Sequence, residues 1–415
     1  MSMPSSPPPT RTPASVLLLC LACMTLEGYD VIAYGAALPA MLADRTWHLG
    51  IGQASLLGTL TPIGMLAGAL LVGVLTDLVG RRRLVLASVA LFSAAMLLCA
   101  AVPSVPLFAI GRVLVGLGVG GVLPSIAALV YEYSPQGRRN LNTALAFAGV
   151  GLGGALAAIV AATAVPGFGF RAEYLIGGLG ALAVLPVAFR SLPESRVFLA
   201  GQQEPAKPRF AVLFARAHLV ATVLFCLTTF ASLLVLFGLY TWLPQLMRSA
   251  GYQLGSALGF LIVLNLGTAV GPLLVGRLAD RIGSQRAIAG SFLLAVVGIS
   301  VLSYPLPTMV LYVAVVLAGV GTVGTQILIN VFVASRYPVH TRATAVGLTL
   351  SVGRLGGILG PLYGGALLSA HLPTAMLFYG FAIPALAGAV LVVLVPRARA
   401  AASTVPEQPG LTISS

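Results

Sequence analysis

Hydrophobic residues along this chain form twelve long runs, and short polar segments separate one run from the next. Each run is about 17–28 residues long, and a helix needs about 20 residues to cross the hydrocarbon core of a bilayer. The pattern therefore predicts an all-α integral membrane protein with twelve transmembrane helices. The runs cover residues 16–42, 53–75, 84–102, 107–130, 142–165, 173–190, 217–243, 255–276, 287–304, 308–333, 343–370 and 374–395.

The composition excludes a soluble domain. Of the 415 residues, 58% are hydrophobic and only 8% are charged, whereas about 25% of the residues in a soluble domain are charged. The 48 glycines and 27 prolines lie mostly within the apolar runs, as is common in membrane helices. Cys20 and Cys23 form a CxxC pair inside a hydrophobic run, where small apolar side chains are a better interpretation than a metal or redox site.

The basic residues indicate an orientation in the membrane. Of the 23 lysines and arginines, 18 lie on the side that carries both termini, and three lie on the other side. The remaining two, Arg112 and Arg354, fall within or near the apolar runs. This asymmetry predicts that both termini are cytoplasmic. The net charge of +13 then reflects topology and contact with anionic lipid, and nucleic acid is not an expected partner.

The two halves of the chain share one pattern. Gly73 to Arg83 matches Gly276 to Arg286 at a constant offset in numbering, and the same offset relates further glycines, prolines and arginines. Two homologous six-helix bundles with a central path between them are therefore predicted. The expected organisation is a disordered cytoplasmic N-terminus (1–15), an N-terminal bundle (16–190), a cytoplasmic central loop (191–216), a C-terminal bundle (217–395) and a cytoplasmic tail (396–415).

Two carboxylates lie inside the first apolar run. Glu27 and Asp30 are three residues apart, and Tyr34 follows one helical turn later, so all three share one face of a helix. A charge at the centre of a membrane costs roughly 2.5–3.5 kcal/mol on insertion scales. We therefore interpret this face as the lining of a water-accessible path.

The loop from Gly73 to Arg83 resembles the G-x-L-x-D-x-x-G-R-R signature of the major facilitator superfamily, and it is echoed after the eighth run. Three further blocks resemble the aromatic acid:proton symporter family within it: 27–35, 112–135 and 336–365. Glu27 stands where that family usually has Asp. The resemblance extends over nearly the whole chain.

The resemblance implies a transporter of the bacterial inner membrane that imports a small aromatic carboxylate, such as benzoate or a hydroxybenzoate, together with protons. The same fold carrying nicotinate, a shikimate-like acid or another organic anion, or acting as a drug or metabolite proton antiporter, is the alternative. A membrane enzyme or receptor is the third reading, which no metal cluster or nucleophile constellation in the sequence favours. We expect no nucleotide or other cofactor and no obligatory protein partner.

Asp30 is the residue expected to carry the proton, with Glu27 as a second candidate. Burial favours the neutral form of a carboxylate and a nearby cation favours the charged form, so movement of Arg112 would load or unload it. A static ion pair between the first and fourth spans is the alternative for Asp30 and Arg112. All four histidines lie at span ends or in loops, which leaves carboxylates as the proton carriers.

Arg354 is the candidate for binding the substrate carboxylate, because a guanidinium can hold a carboxylate through two parallel hydrogen bonds. An ion pair with Glu27 or Asp30, or a snorkelling side chain, is the alternative. The aromatic ring needs an apolar slot, and the uncharged polar residues can read ring hydroxyls or join helices. The candidates are Tyr34, Phe147, Phe230, Tyr240, Trp242, Tyr363 and Phe378 for the slot, and Asn265, Gln326 and Asn330 for the polar contacts.

Charged residues at the cytoplasmic ends of the spans form a third group. In the superfamily such loops clamp the two halves together when the outside is open, and by resemblance we expect a gating role here. Topology signals alone explain the arginines but not the acids. The expected gating network consists of Asp77, Arg81, Arg82, Glu132, Arg139, Asp280 and Arg342.

Overall fold

The computed structural model describes residues 13–135, 138–194, 213–337 and 341–396, which fold into twelve long α-helices with no strand among them. A four-residue helix, Val165–Phe168, leads into the sixth. The helices are α1 (Pro13–Ala43), α2 (Ile51–Val79), α3 (Arg81–Ala101), α4 (Val105–Tyr133), α5 (Arg139–Thr163), α6 (Arg171–Ser191), α7 (Arg216–Ser249), α8 (Leu254–Ile282), α9 (Ser284–Val301), α10 (Thr308–Arg336), α11 (Arg342–Ser369) and α12 (Thr374–Val393).

All twelve helices are long and apolar enough to span a membrane, which confirms the predicted fold class. An α-helix satisfies nearly all of its backbone hydrogen bonds internally, as a bilayer requires. Large apolar side chains such as Leu70, Ile110 and Ile383 are more than half exposed. They form the lipid-facing surface.

The internal repeat extends to the helix ends. Every helix of the second half begins where the offset seen in the motifs places it relative to its counterpart, from Pro13 and Arg216 for α1 and α7 to Arg171 and Thr374 for α6 and α12. The junctions before α3 and α9 repeat as well, with Gly80 at φ 91° and Gly283 at φ 89°. These left-handed conformations favour glycine. One offset therefore describes the whole backbone.

The two halves pack in the same way and meet along three helix pairs. In the first half α1 packs on α5, and α2 and α3 pack on α4. In the second half α7 packs on α11, and α8 and α9 pack on α10. Helices α5 and α8, α2 and α11, and α1 and α7 join the halves. We call the side on which α1 begins and α12 ends the terminal face, and the other side the opposite face.

The halves close on each other near the opposite face. A Cβ atom on Gly35 of α1 would lie 1.8 Å from the carbonyl oxygen of Tyr240 in α7, so only glycine allows this approach. The Arg248 guanidinium donates to the carbonyl of Pro39 at 3.4 Å, again between the halves. Within the described residues, α4 and α10 are not packed against each other. The interface is therefore tighter toward the opposite face.

The predicted loops and tails lie mostly outside the described residues. Residues 13–15 begin α1, which corrects the expectation that the disordered N-terminus extends to residue 15. Ser191 ends α6 and Arg216 begins α7, so both belong to helices and not to the central loop. The rest of 1–15, residues 195–212 of the central loop and 397–415 of the tail are outside the described ranges.

Candidate functional site

An ion pair lies in the middle of the first half. The Arg112 Nη1 atom of α4 is 3.7 Å from the Asp30 Oδ1 atom of α1. The two residues are 2% and 0% exposed, and neither Asp30 oxygen has a hydrogen-bond partner in the described part of the chain. The structure thus brings together the two residues expected to couple protons. Because the carboxylate is held by charge and not by hydrogen bonds, protonation would remove its main restraint.

Aromatic rings surround the arginine of this pair. The Arg112 guanidinium carbon lies 4.9 Å from the centroid of the Tyr34 ring and 6.0 Å from that of Tyr174 in α6. The Thr61 hydroxyl of α2 donates to the Arg112 carbonyl at 3.1 Å. Cation–π contacts of this kind stabilise a desolvated guanidinium by up to about 2 kcal/mol. Arg112 therefore keeps favourable contacts when Asp30 is neutral.

A second group of opposite charges bridges the two halves. Glu27 of α1 is 3% exposed, and its Oε2 atom has no hydrogen-bond partner among the described residues. Its carboxylate and the Arg354 guanidinium of α11 attract each other without forming an ion pair. The Arg354 Nη1 atom donates to the Met65 carbonyl of α2 at 2.6 Å. Arg354 therefore crosses from the second half to the first, where its charge attracts that of Glu27.

Helices α8 and α10 of the second half carry buried, uncharged polar side chains. Gln326 and Asn330 are one turn apart on α10, and the Gln326 side-chain nitrogen and oxygen and the Asn330 oxygen are buried with no partner in the described chain. The Asn265 amide nitrogen of α8 donates to the Leu261 carbonyl at 2.8 Å, but its oxygen has no partner. Buried polar atoms usually have partners. These groups are therefore available to a polar ligand.

Three of the aromatic side chains predicted to line the substrate slot donate hydrogen bonds to backbone carbonyls. Trp242 Nε1 donates to the Pro361 carbonyl at 2.8 Å, and the Tyr363 hydroxyl donates to the Gly380 carbonyl at 2.6 Å, so both side chains join helices within the second half. The Tyr34 hydroxyl donates to the Ala54 carbonyl at 2.6 Å, and its ring faces Arg112. Phe147 of α5 packs half-buried against the apolar core. A role for these four rings beside the substrate stays a prediction.

The charged residues at the terminal face form contacts within their own half of the molecule. Arg81 and Glu132 form an ion pair between α3 and α4. The Arg82 backbone nitrogen donates to the Glu194 Oε1 atom at 3.0 Å. Arg342 donates to the Tyr337 carbonyl at 3.0 Å in the second half, where Asp280 is exposed. The side chains of the other two predicted members, 77 and 139, are outside the described part.

Sequence reasoning missed one buried acid. Glu173, in the first turn of α6, is 0% exposed, and neither of its carboxylate oxygens has a hydrogen-bond partner in the described structure. The Tyr29 hydroxyl of α1 donates to the Glu173 backbone carbonyl at 2.9 Å. The signal was present in the sequence, because an acid stands at the first position of the predicted sixth run.

The side chains of this region can bind an anion and exchange protons, and no metal chemistry is evident among those that the structure describes. In the described residues no group of three or more His, Cys, Asp or Glu side chains could hold a metal ion. Three buried acids, the buried Arg112 and the half-buried Arg354 lie in or between α1, α4, α6 and α11. Such groups inside a membrane protein mark ion or substrate pathways.

Comparison with known proteins identifies the family. Residues 20–361 and 265–414 match the Major Facilitator Superfamily. The chain is 32% identical to a benzoate transport protein of Acinetobacter baylyi, over 92% of this chain and 89% of that protein. It is 36% identical to a gentisate transporter of Corynebacterium glutamicum, over 88% of this chain and 83% of that protein.

The fold is also similar to that of solved structures. The crystal structure of a D-xylose-proton symporter superposes with a TM-score of 0.75 and covers 91% of this chain and 97% of the symporter, at 18% sequence identity. At that identity the likeness concerns the fold alone. The resemblance to aromatic acid transporters is confirmed by the relatives, which are transporters and not enzymes. This chain, a multi-pass membrane protein, belongs to the Major Facilitator Superfamily.

Proposed function

We propose that this protein imports a small aromatic carboxylate, of the benzoate or hydroxybenzoate type, together with protons by alternating access. The observation that carries the proposal is Arg354, a guanidinium in the middle of the bundle that reaches across the interface between the halves. The benzoate and gentisate transporters among the relatives support the substrate class.

Arg354 suits the carboxylate of such a substrate. Its one hydrogen bond in the described structure goes to a backbone carbonyl, and a guanidinium carries five N–H donors. Donors therefore remain for a carboxylate held through two parallel bonds. Gln326 and Asn330 supply uncharged polar groups for ring hydroxyls. Trp242 and Tyr363 are not part of this proposal, because their polar groups bond within the second half.

Glu27 couples proton binding to substrate binding. The Arg354 guanidinium faces the Glu27 carboxylate across the interface between the halves. A substrate anion at Arg354 would meet that negative charge, and like charges at close range in a buried site repel strongly. A proton on Glu27 removes the repulsion. Substrate therefore binds best together with one proton, and Asp30 with Arg112 holds a second exchangeable site.

The orientation follows from the basic residues. The terminal face carries most of the arginines and is assigned to the cytoplasm of a bacterial inner membrane. The close approach of Gly35 to Tyr240 then seals the periplasmic side. In this orientation the Arg81–Glu132 contact lies at the cytoplasmic face, where a gating role is proposed for it.

The number of protons carried with each substrate anion determines how far the substrate can be accumulated. One proton carried with one monoanion is electroneutral, so one pH unit supplies about 1.4 kcal/mol, or roughly tenfold accumulation. A second proton adds one positive charge and about 2.3 kcal/mol per 100 mV of membrane potential. Accumulation beyond tenfold at one pH unit that responds to an imposed potential would indicate two protons.

The test is uptake of labelled benzoate into proteoliposomes under an inward proton gradient, with and without an uncoupler. We expect gradient-dependent accumulation that the uncoupler abolishes. Glu27→Gln, a permanently neutral side chain of the same shape, should bind substrate with an affinity that no longer falls as pH rises. Hydroxybenzoates, nicotinate and shikimate complete the panel. Folded protein that accumulates none of these acids under the gradient would contradict the proposal.

A further inference from the structure

Glu173 is a buried acid that takes no part in the substrate binding and proton coupling proposed above. It lies in the first turn of α6, near the opposite face. Its side chain is fully buried, and neither carboxylate oxygen is hydrogen-bonded within the described residues. An isolated ionised carboxylate is very costly to bury, and such a group normally takes up a proton instead. In this closed arrangement burial favours the neutral form of the Glu173 carboxyl over the ionised one.

Polar groups connect Glu173 with the Asp30–Arg112 pair. Tyr29, which precedes Asp30, donates to the Glu173 carbonyl at 2.9 Å. Tyr174, which follows Glu173, places its ring 6.0 Å from the Arg112 guanidinium, and its buried hydroxyl has no partner in the described chain. The acid and the ion pair thus share two tyrosine neighbours.

An aromatic cluster covers this route on the opposite face. The Trp47 ring, after the end of α1, lies 4.7 Å from the Phe170 ring and 5.2 Å from the Phe108 ring. Phe108 in turn lies 5.1 Å from Tyr174. Trp47 Nε1 is buried with no partner among the described residues. Separation of these rings would admit water to Glu173 before it reaches Asp30.

We propose that Glu173 is the proton acceptor on the opposite face and passes its proton to Asp30. When water reaches the site, the ionised Glu173 carboxylate takes a proton from hydronium and becomes a carboxylic acid. While water still surrounds the site and solvates the carboxylate that Glu173 becomes, the O–H bond of Glu173 breaks and an O–H bond forms on Asp30, through water or a tyrosine hydroxyl. Neutral Asp30 no longer attracts Arg112. The inference rests on the proposed proton coupling.

The charged and titratable groups around the route decide its pH dependence. Helix α1 contributes two hydroxyls and a carboxylate, α3 a thiol, α4 a guanidinium, and α6 its own guanidinium and hydroxyl. Among them Asp30 is the only other acid in this described set, so it is the natural proton acceptor. These groups are Tyr29, Asp30, Tyr34, Cys99, Arg112, Arg171 and Tyr174.

The test compares Glu173→Gln with the wild-type protein in proteoliposomes. Labelled benzoate uptake is measured under an inward proton gradient, and counterflow exchange is measured at equal pH on both sides. We expect the initial rate of gradient-driven uptake to fall at least tenfold, because relay of a proton by a positioned group contributes factors of about 10²–10⁴. In counterflow the carrier can return with its proton still bound. The counterflow rate of Glu173→Gln should therefore stay within twofold of the wild-type rate.

Asp44→Asn is the matched control, an acid in the loop after α1 on the same face. Thr46 donates two hydrogen bonds to Asp44, from its hydroxyl at 2.6 Å and its backbone nitrogen at 2.7 Å. These bonds hold the pKa of Asp44 below its ordinary value, so Asp44 stays ionised near neutral pH. Its replacement should change neither measurement.

Three results overturn the inference. Unchanged uptake in Glu173→Gln means that Glu173 is a permanently neutral part of the packing, and equal losses of uptake and counterflow mean a structural role. If the Gln variant does not fold, a carbodiimide that modifies protonated carboxyls is applied to the wild-type protein, and mass spectrometry locates the product. Labelling of Glu173 should decrease at alkaline pH, and labelling independent of pH refutes the relay. Absence of gradient-driven uptake in the wild-type protein would instead refute the proposed function.

Discussion

Replacing Asp30 by Asn keeps the shape of the side chain and removes its ability to carry a proton as a carboxylate. The substitution also leaves the Arg112 guanidinium buried without its counter-ion. Two separate effects are therefore expected: loss of gradient-driven accumulation and loss of stability. The proton-carrier role predicts both effects, whereas a static ion pair predicts only the second.

The stability effect can be worked out from the geometry. At 3.7 Å and an effective dielectric constant of 20, two unit charges attract by about 4 kcal/mol. Removing one partner of a buried pair typically costs about 3–5 kcal/mol. The rings of Tyr34 and Tyr174 remain against Arg112, and these contacts stabilise the cation by about 1–2 kcal/mol. We therefore expect Asp30→Asn to lower the free energy of unfolding by about 1–4 kcal/mol.

A double-mutant cycle measures this coupling. Unfolding in detergent micelles is compared for the wild-type protein, Asp30→Asn, Arg112→Met and the double variant. The double variant should be more stable than the sum of the single effects predicts, because no unpaired charge remains. Benzoate uptake under a proton gradient is measured on the same four proteins. Full accumulation by Asp30→Asn would refute the proton-carrier role. A coupling energy below about 0.5 kcal/mol, the lower end of the range for residues in contact, would refute the ion pair.

Three further substitutions test other parts of the molecule. Arg354→Gln should weaken benzoate binding at least tenfold in a direct binding assay, because a charge-assisted bond to the carboxylate is lost; unchanged affinity would exclude Arg354 from the site. Gly35→Ala should slow transport at least tenfold, since a Cβ would overlap the facing carbonyl, whereas Gly50→Ala, with open space around it, should not. Glu132→Gln should change the unfolding free energy by less than about 1 kcal/mol, because its pair with Arg81 is partly exposed, while uptake falls several-fold; unaltered uptake would argue against gating.

The sequence predicts the helices and their repetition well. Span length follows from the thickness of the bilayer, and the constant offset between the repeated motifs locates the helix starts of the second half. The pairing of Asp30 with Arg112 was also predictable, because charges inside apolar runs are few and need partners. The predicted ends of the helices were less accurate, because polar residues such as Arg336 extend a helix beyond its apolar part.

The rotation of each helix was not predictable. A membrane helix is apolar on several sides, so periodicity does not show which face meets a neighbour. The sequence therefore offered Trp242 and Tyr363 for substrate, although both bond to carbonyls within the second half. For the same reason it gave no indication that Tyr174 faces Arg112. The position of Glu173 at the start of the sixth run was visible, but whether its side chain faces the protein or the solvent was not.

The repeated backbone offers a route to altering how the carrier uses the membrane potential. The repeat carries Asp30 and Arg112 onto Leu233 and Val315, both buried on helices that pack together as α1 and α4 do. The second half thus contains the same backbone frame as the Asp30–Arg112 pair, with two apolar side chains in place of the charges. An acid and an arginine installed there would add a titratable pair, and each extra proton carried inward makes transport more electrogenic. The internal repeat thus points to the pair of positions at which a further charge pair could be introduced with the least change to the backbone.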